Sequence, residues 1–150
     1  MKKINKFRGE FFFLSNFAFS PIKFARQKWP TAEHLFQALK TVDPSEREKI
    51  RKLKRPSEAK RLGRQVILKS NWNEKRNLHM LFVLRMKFKQ NSELTKKLLA
   101  TENAILEEGN NWHDNYWGNC SCSRCKNIKG ENHLGKLLMQ VREELKNENS

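Results

Sequence analysis

Apolar residues recur at helical spacing along most of this chain and at strand-like spacing only near its start. Short apolar runs at 11–13 and 22–25, set among the turn residues Ser15, Asn16, Ser20 and Pro21, predict two brief strands. From Ala32 the period changes, and Ala32, Leu35, Phe36 and Leu39 share one side of a helix predicted over about 32–41. Thr31 stands where a hydroxyl can accept from an unpaired backbone N–H, and Pro30 keeps the entry extended. Asp43, Pro44 and Glu46 then supply a cap, a proline at the first helical position and a first-turn acid, so a second helix runs to about 54. Pro56 and Ser57 open a third over about 58–66, with Gly63 placed for a close packing contact. Trp72 and Asn73 cap the longest helix, 74–89, on which Leu78, Leu81, Phe82, Arg85 and Phe88 share a face with Arg85 at its buried edge. A short helix over 92–100 and a short strand over 104–107 lead into a long loop, 109–131. Asn132 caps the last helix, with Leu134, Leu137, Leu138, Val141 and Leu145 inward. No linker, repeat or low-complexity stretch interrupts this pattern. The expectation is an α+β fold, mostly helical, as a single compact domain over 1–150 with a few short strands.

Composition narrows the setting. Ten Phe and four Trp provide core material despite the high polar content. No apolar run approaches the roughly 18 residues that cross a bilayer. The basic start is followed only by Phe11-Phe12-Phe13-Leu14, too short for a secretory segment. The chain is therefore expected to be soluble and cytoplasmic, with no membrane partner. Its net charge of +15 favours polyanionic partners, such as nucleic acid, nucleotide phosphates or ADP-ribose. The basic residues are densest from Arg47 to Arg64. The same run would also serve as a solvated helix surface, so charge alone does not separate binding from solubility.

Two segments carry candidate chemistry. At about 100° per residue, Glu33, Gln37 and Lys40 fall in one narrow sector of the first helix. This aligns a carboxylate, an amide and an ammonium, although the spacing also suits a solvated stripe. The second segment is Trp112-His113-Asp114-Asn115-Tyr116-Trp117-Gly118, in a loop too long and aromatic for mere connection. Aromatic faces stack on nucleobases, and an acid beside them orients a sugar hydroxyl or a water. The alternative is an aromatic plug over the core with Asp114 capping a turn. Just beyond, Cys120, Cys122 and Cys125 form a C-x-C-x2-C cluster, which His113 or His133 would complete as a Cys3His zinc site. Free thiols in a reducing compartment are the other reading. A closed four-ligand site would be structural.

These residues also resemble a known family. Leu14-Ser15-Asn16-Phe17, the run Trp29 to His34 with Phe36-Gln37-Ala38 and Lys40, and Leu62-Gly63-Arg64 are similar to the NADAR superfamily in its YbiA-like branch. So are Leu84-Arg85, Lys87-Phe88, Asp114 with Trp117-Gly118, and Gly130 to Met139. The matches run in order from about Phe7 to Arg142. The family often has an aromatic residue where this chain has Leu35.

The resemblance implies a mostly helical α+β fold and N-glycosidase chemistry that needs no cofactor. It implies a substrate of one of two kinds: ADP-ribose on guanine in DNA, or a phosphorylated ribosylamino-pyrimidine intermediate of riboflavin biosynthesis. Glu33, Asp114 and Lys40 would then be catalytic. Asn16, Phe17, Trp29, Gln37, Arg85, Trp112, Trp117, Gly118 and Asn132 would bind substrate. Glu33 would stabilise the positive charge that develops on the sugar as the C–N bond breaks. Lys40 would anchor a phosphate or, with a pKa lowered by burial, attack ring-opened C1 to form a Schiff base. A non-catalytic ADP-ribose or nucleic-acid binding module is the alternative, and retention of both Glu33 and Asp114 argues against it.

Overall fold

The computed structural model describes residues 2–148. In chain order the elements are β1 (Lys3–Ile4), a 3-10 helix (Gly9–Leu14), β2 (Phe19–Phe24), β3 (Gln27–Thr31), α1 (Ala32–Ala38), α2 (Pro44–Arg51), α3 (Pro56–Leu62), α4 (Trp72–Lys89), α5 (Ser92–Leu99), β4 (Ile105–Leu106), β5 (Gly109–Asn110), β6 (Asn119–Cys120) and α6 (His133–Glu148). The chain forms two compact units. One is Asn16–Asn91, and the other joins the segment up to Ser15 with the segment from Ser92 onward.

In the unit Asn16–Asn91, β2 and β3 form an antiparallel hairpin with Ile22 opposite Trp29 and Phe24 opposite Gln27. Its two-residue turn is Ala25-Arg26, both left-handed at φ 54° and 64°. Such turns usually carry Gly or Asn, because a Cβ is disfavoured there. Helix α1 then packs against the hairpin and against α2, α3 and α4. Trp29, Ile22, Ala32, Leu35, Ala38, Ile50, Ala59, Val83, Leu84 and Phe88 are nearly or wholly excluded from solvent and form this core. Leu35 fills its place in that core without an aromatic ring.

In the other unit, β1 pairs in parallel with β4, and α6 packs on α5 and β4. Leu134, Leu138, Val141 and Leu145 line the inner face of α6. Arg142 reaches back to donate to Thr101 Oγ1 at 2.9 Å. A second parallel pair, β5 with β6, closes the loop between β4 and α6. No helix among the described residues is long and apolar enough to cross a membrane.

Three local expectations change. Residues 11–13 lie in a 3-10 helix and not a strand: Phe13 and Leu14 are buried while Phe12 is 45% exposed, which is not two-residue alternation. Strand β3 went unread because its turn lacks a glycine or asparagine signal. On α4 the inward residues are Met80, Leu81, Val83, Leu84, Lys87 and Phe88, whereas Leu78 is 66% exposed. The buried face is thus turned past the purely apolar stripe and admits a lysine.

Two features make stability predictions. A Cβ on Gly63 would stand 1.9 Å from Gln37 Oε1 and 2.7 Å from its Cδ, so α3 approaches α1 this closely only without a side chain. Gly63→Ala is expected to cost about 1–3 kcal/mol in thermal or denaturant unfolding, as overpacking does; an unchanged midpoint contradicts this contact. Lys87 is fully buried, and desolvation lowers its pKa to about 7 from an ordinary 10.5. Between those values the unfolded chain holds a proton that the folded chain does not. Stability should therefore climb with pH across that window, by about 1.4 kcal/mol per unit of pKa difference. Lys87→Met is expected to flatten the climb, because no group then titrates differently in the two states. A pH dependence of the unfolding midpoint between pH 7 and 10 that is unchanged in Lys87→Met would contradict the assignment to this amine.

Candidate active site

The first turn of α1 is held from both sides. Thr31 Oγ1 accepts from the His34 backbone N–H at 3.1 Å, and the Asn16 carbonyl accepts from the Glu33 N–H at 3.0 Å. His34 is wholly buried, and its Nε2 lies 2.8 Å from the Leu53 carbonyl. A carbonyl only accepts, so Nε2 carries the proton and Nδ1 accepts from the Thr31 hydroxyl at 2.8 Å. Burial lowers the His34 pKa, which keeps this neutral tautomer in place. The imidazole therefore fastens the helix start and takes no part in proton transfer.

Glu33 is fixed by this arrangement and is only 7% exposed. Gln37, one turn later and equally buried, donates through Nε2 to Glu33 Oε2 at 2.5 Å. The stripe is thus not a solvated one. Gln37 Oε1 and Asn16 Oδ1 are buried without a hydrogen-bond partner among the described residues, while Asn16 Nδ2 rests on Met80 Sδ at 3.4 Å. A burial of this kind is costly unless a ligand or water meets the acceptor.

Lys40 completes the sector. Burial lowers its pKa most, the Glu33 charge opposes that, and Arg64, Lys60 and Arg76 lower it further. The lowered pKa favours the neutral, nucleophilic amine more than an exposed lysine would. The four cations gathered here come from the turn after α1, from α3 and the residues after it, and from α4. Arg76 was not singled out by sequence, since nothing in its spacing ties it to Lys40. Charge is concentrated in the same unit: residues 16–91 hold nineteen Lys and Arg against six Asp and Glu, so +13 of the net +15.

The remaining predicted residues divide by unit. In Asn16–Asn91, Phe17 and Arg85 are half-buried. Trp29 is 1% exposed and donates its indole N–H to the Phe24 carbonyl at 3.2 Å, closing the hairpin. In the other unit, Asp114 Oδ1 accepts from the backbone N–H groups of Tyr116 at 3.1 Å and Trp117 at 2.9 Å. This is a turn cap. Trp117 meets Tyr116 edge to face at 4.8 Å, and Trp112 is 48% exposed. Gly118 passes so close to Glu108 that a Cβ would stand 1.9 Å from Oε1 and 2.0 Å from the backbone carbonyl. Asn132 accepts from Glu108 N and donates to the Leu106 carbonyl, so its side chain ties the start of α6 to the end of β4, and its own carbonyl accepts from the Lys136 N–H at 3.0 Å. A polar cleft of about 210 Å³ in this unit is lined by Asn5, Lys6, Arg8, Glu107, Asn110 and Ser121 among others, none of them a sequence-predicted site residue.

A profile of the NADAR domain matches residues 5–146. The N-glycosidase YbiA of Shigella flexneri serotype 5b is 45% identical over 133 residues, covering 87% of this chain and 79% of its own length. The riboflavin biosynthesis protein VVA0006 of Vibrio vulnificus is 37% identical over 135 residues, covering 89% of this chain but 35% of its own. The NMR structure of Escherichia coli YbiA superposes with a TM-score of 0.83 at 41% identity, covering 99% of this chain and 89% of that one. The mostly helical α+β architecture is therefore shared, and the chain belongs to the NADAR domain family.

Proposed function

We propose that this protein is a hydrolase that cleaves the C–N glycosidic bond of a phosphorylated ribosyl compound. The single observation that carries the reading is the buried Glu33–Gln37 pair set beside a lysine of lowered pKa and three further cations. The names of the relatives, two of them N-glycosidase YbiA proteins and one a riboflavin biosynthesis protein, point to the same reaction class.

Breaking the bond builds positive charge at C1 of the sugar, and Glu33 is the carboxylate placed to stabilise it. The helix start supports an anion there, because the aligned peptide dipoles place positive potential at that end. For a base attached through an exocyclic amine, ring opening gives an imine at C1. The neutral Lys40 amine adds to that carbon, and the base departs as its amine, taking a proton. Water then hydrolyses the Lys40 imine, which releases the sugar aldehyde and restores the free amine. Lys60, Arg64 and Arg76 would meet the phosphate, leaving Lys40 for the sugar.

Within this reaction class we place ADP-ribose on guanine in DNA first, because a charge of +13 on one unit suits a polyanionic substrate. The phosphorylated ribosylamino-pyrimidine intermediates are the second candidate, favoured by the riboflavin name of the Vibrio relative. Incubation with an oligonucleotide bearing ADP-ribosylated guanine, and separately with the pyrimidine intermediates, distinguishes them. Release of ADP-ribose or of ribose 5-phosphate is expected, reduced about a thousandfold or more in Glu33→Ala. Tight binding with no release from either substrate would leave a binding module. Borohydride added during turnover should trap the sugar on the wild-type protein and not on Lys40→Arg. Retained activity in that variant, with resistance to borohydride, would return Lys40 to phosphate anchoring.

A further inference from the structure

The loop between β5 and α6 gathers four soft donors that the glycosidase reading does not use. His113, Cys120, Cys122 and Cys125 each offer one ligand atom, and these atoms all lie within 4.8 Å of one another. Cys122 Sγ is 3.2 Å and Cys125 Sγ 3.6 Å from His113 Nδ1. Tetrahedral zinc with bonds of about 2.3 Å to sulfur and 2.0–2.1 Å to nitrogen spaces its donors about 3.5–3.8 Å apart. The cluster already approaches those edges. We propose that this loop is a structural Cys3His zinc site, liganded by His113 Nδ1 and the three cysteine thiolates.

The backbone is arranged for it. The parallel pair of β5 and β6 sets Cys120 at the end of a strand, and His113 holds a left-handed φ of 72°. For a residue with a Cβ, that conformation persists only where the surroundings impose it. The N–H groups of His113 and Cys122 point at Cys120 Sγ, at 3.3 and 3.5 Å, and would orient and stabilise a metal-bound thiolate there. Asn115 accepts from the Cys120 N–H at 2.9 Å and its side chain also meets the Cys125 thiol. The Cys125 N–H closes a turn on the Cys122 carbonyl at 3.0 Å. His133, the other histidine that sequence allows, lies instead against the Tyr116 ring at 4.4 Å and 3.6 Å from Glu131 Oε1. It is not a ligand.

Two properties follow. Four protein ligands close the coordination sphere, so the ion has no open position for water and takes no part in bond cleavage. The ligands span 113–125 and enclose Asp114, Asn115, Tyr116 and Trp117, so the ion would fasten the aromatic turn that Asp114 caps. Metal binding would release thiol protons and stabilise the folded loop.

The test uses the full chain expressed with added zinc and purified without chelator, its metal content measured beside free thiols. One zinc per chain, with the three thiols protected until chelator is added, is the expected result. Replacement by cobalt should give the intense visible bands of a tetrahedral site and a thiolate charge-transfer band. His113→Ala and Cys122→Ser should lose or alter those bands, whereas His133→Ala should leave them unchanged. If the ligand variants do not fold, the wild-type zinc stoichiometry and cobalt spectrum still decide. A folded protein without zinc, with three freely reacting thiols or a Cys122–Cys125 disulfide and no tetrahedral cobalt spectrum, overturns the proposal.

Discussion

The start of α1 is the constraint on which the candidate site depends. Two backbone donors in its first turn are satisfied from outside the helix, one by the Thr31 hydroxyl and one by the Asn16 carbonyl. His34 then locks Thr31 through Nδ1 while holding the Leu53 carbonyl through Nε2. A helix of seven residues has little stability of its own. Its position comes from these bonds and from burial of Ala32, Leu35, Phe36 and Ala38. Because the helix cannot turn or slide, Glu33 and Gln37 are presented at a fixed height, and Gly63 lets α3 close against them.

Burying a carboxylate here creates an electrostatic demand that the neighbouring elements answer. An isolated buried carboxylate would take up a proton instead of staying charged. Glu33 has the Gln37 amide on one oxygen and the Lys40 charge nearby, with Lys60, Arg64 and Arg76 around that lysine. The positive excess is larger than one carboxylate needs. That surplus suits a phosphorylated ligand, which would bring the balancing negative charge with it.

Much of this was legible in the residues, and the exceptions have physical reasons. Pro30-Thr31 announces the helix start because each residue restricts the backbone locally, and Asp43-Pro44 does the same for α2, where Asp43 Oδ1 accepts from Ser45 N at 2.8 Å. The Glu33–Gln37 alignment follows from helical period alone. The hairpin turn did not show, because Ala25 and Arg26 are held left-handed by pairing of the flanking strands and not by their own preference. Lys87 did not show either, since periodicity assigns a lysine to solvent and only packing against Phe88 and its neighbours buries it. Arg76 joins the cation set through tertiary approach. Asp114 was readable as an acid among aromatics, but only the structure assigns its Oδ1 to two backbone donors.

The central claim is that the buried Glu33 carboxylate, held in place by the α1 start, breaks the glycosidic bond. Single-turnover cleavage by Glu33→Gln, measured beside equilibrium binding of the same substrate, tests it most directly. This substitution keeps the shape and a hydrogen-bonding partner for Gln37 but removes the charge. The account predicts binding within a few fold of the parent and cleavage slower by about three orders of magnitude, the scale of lost electrostatic stabilisation. Cleavage at the parental rate with binding intact would contradict it and move the chemistry away from Glu33.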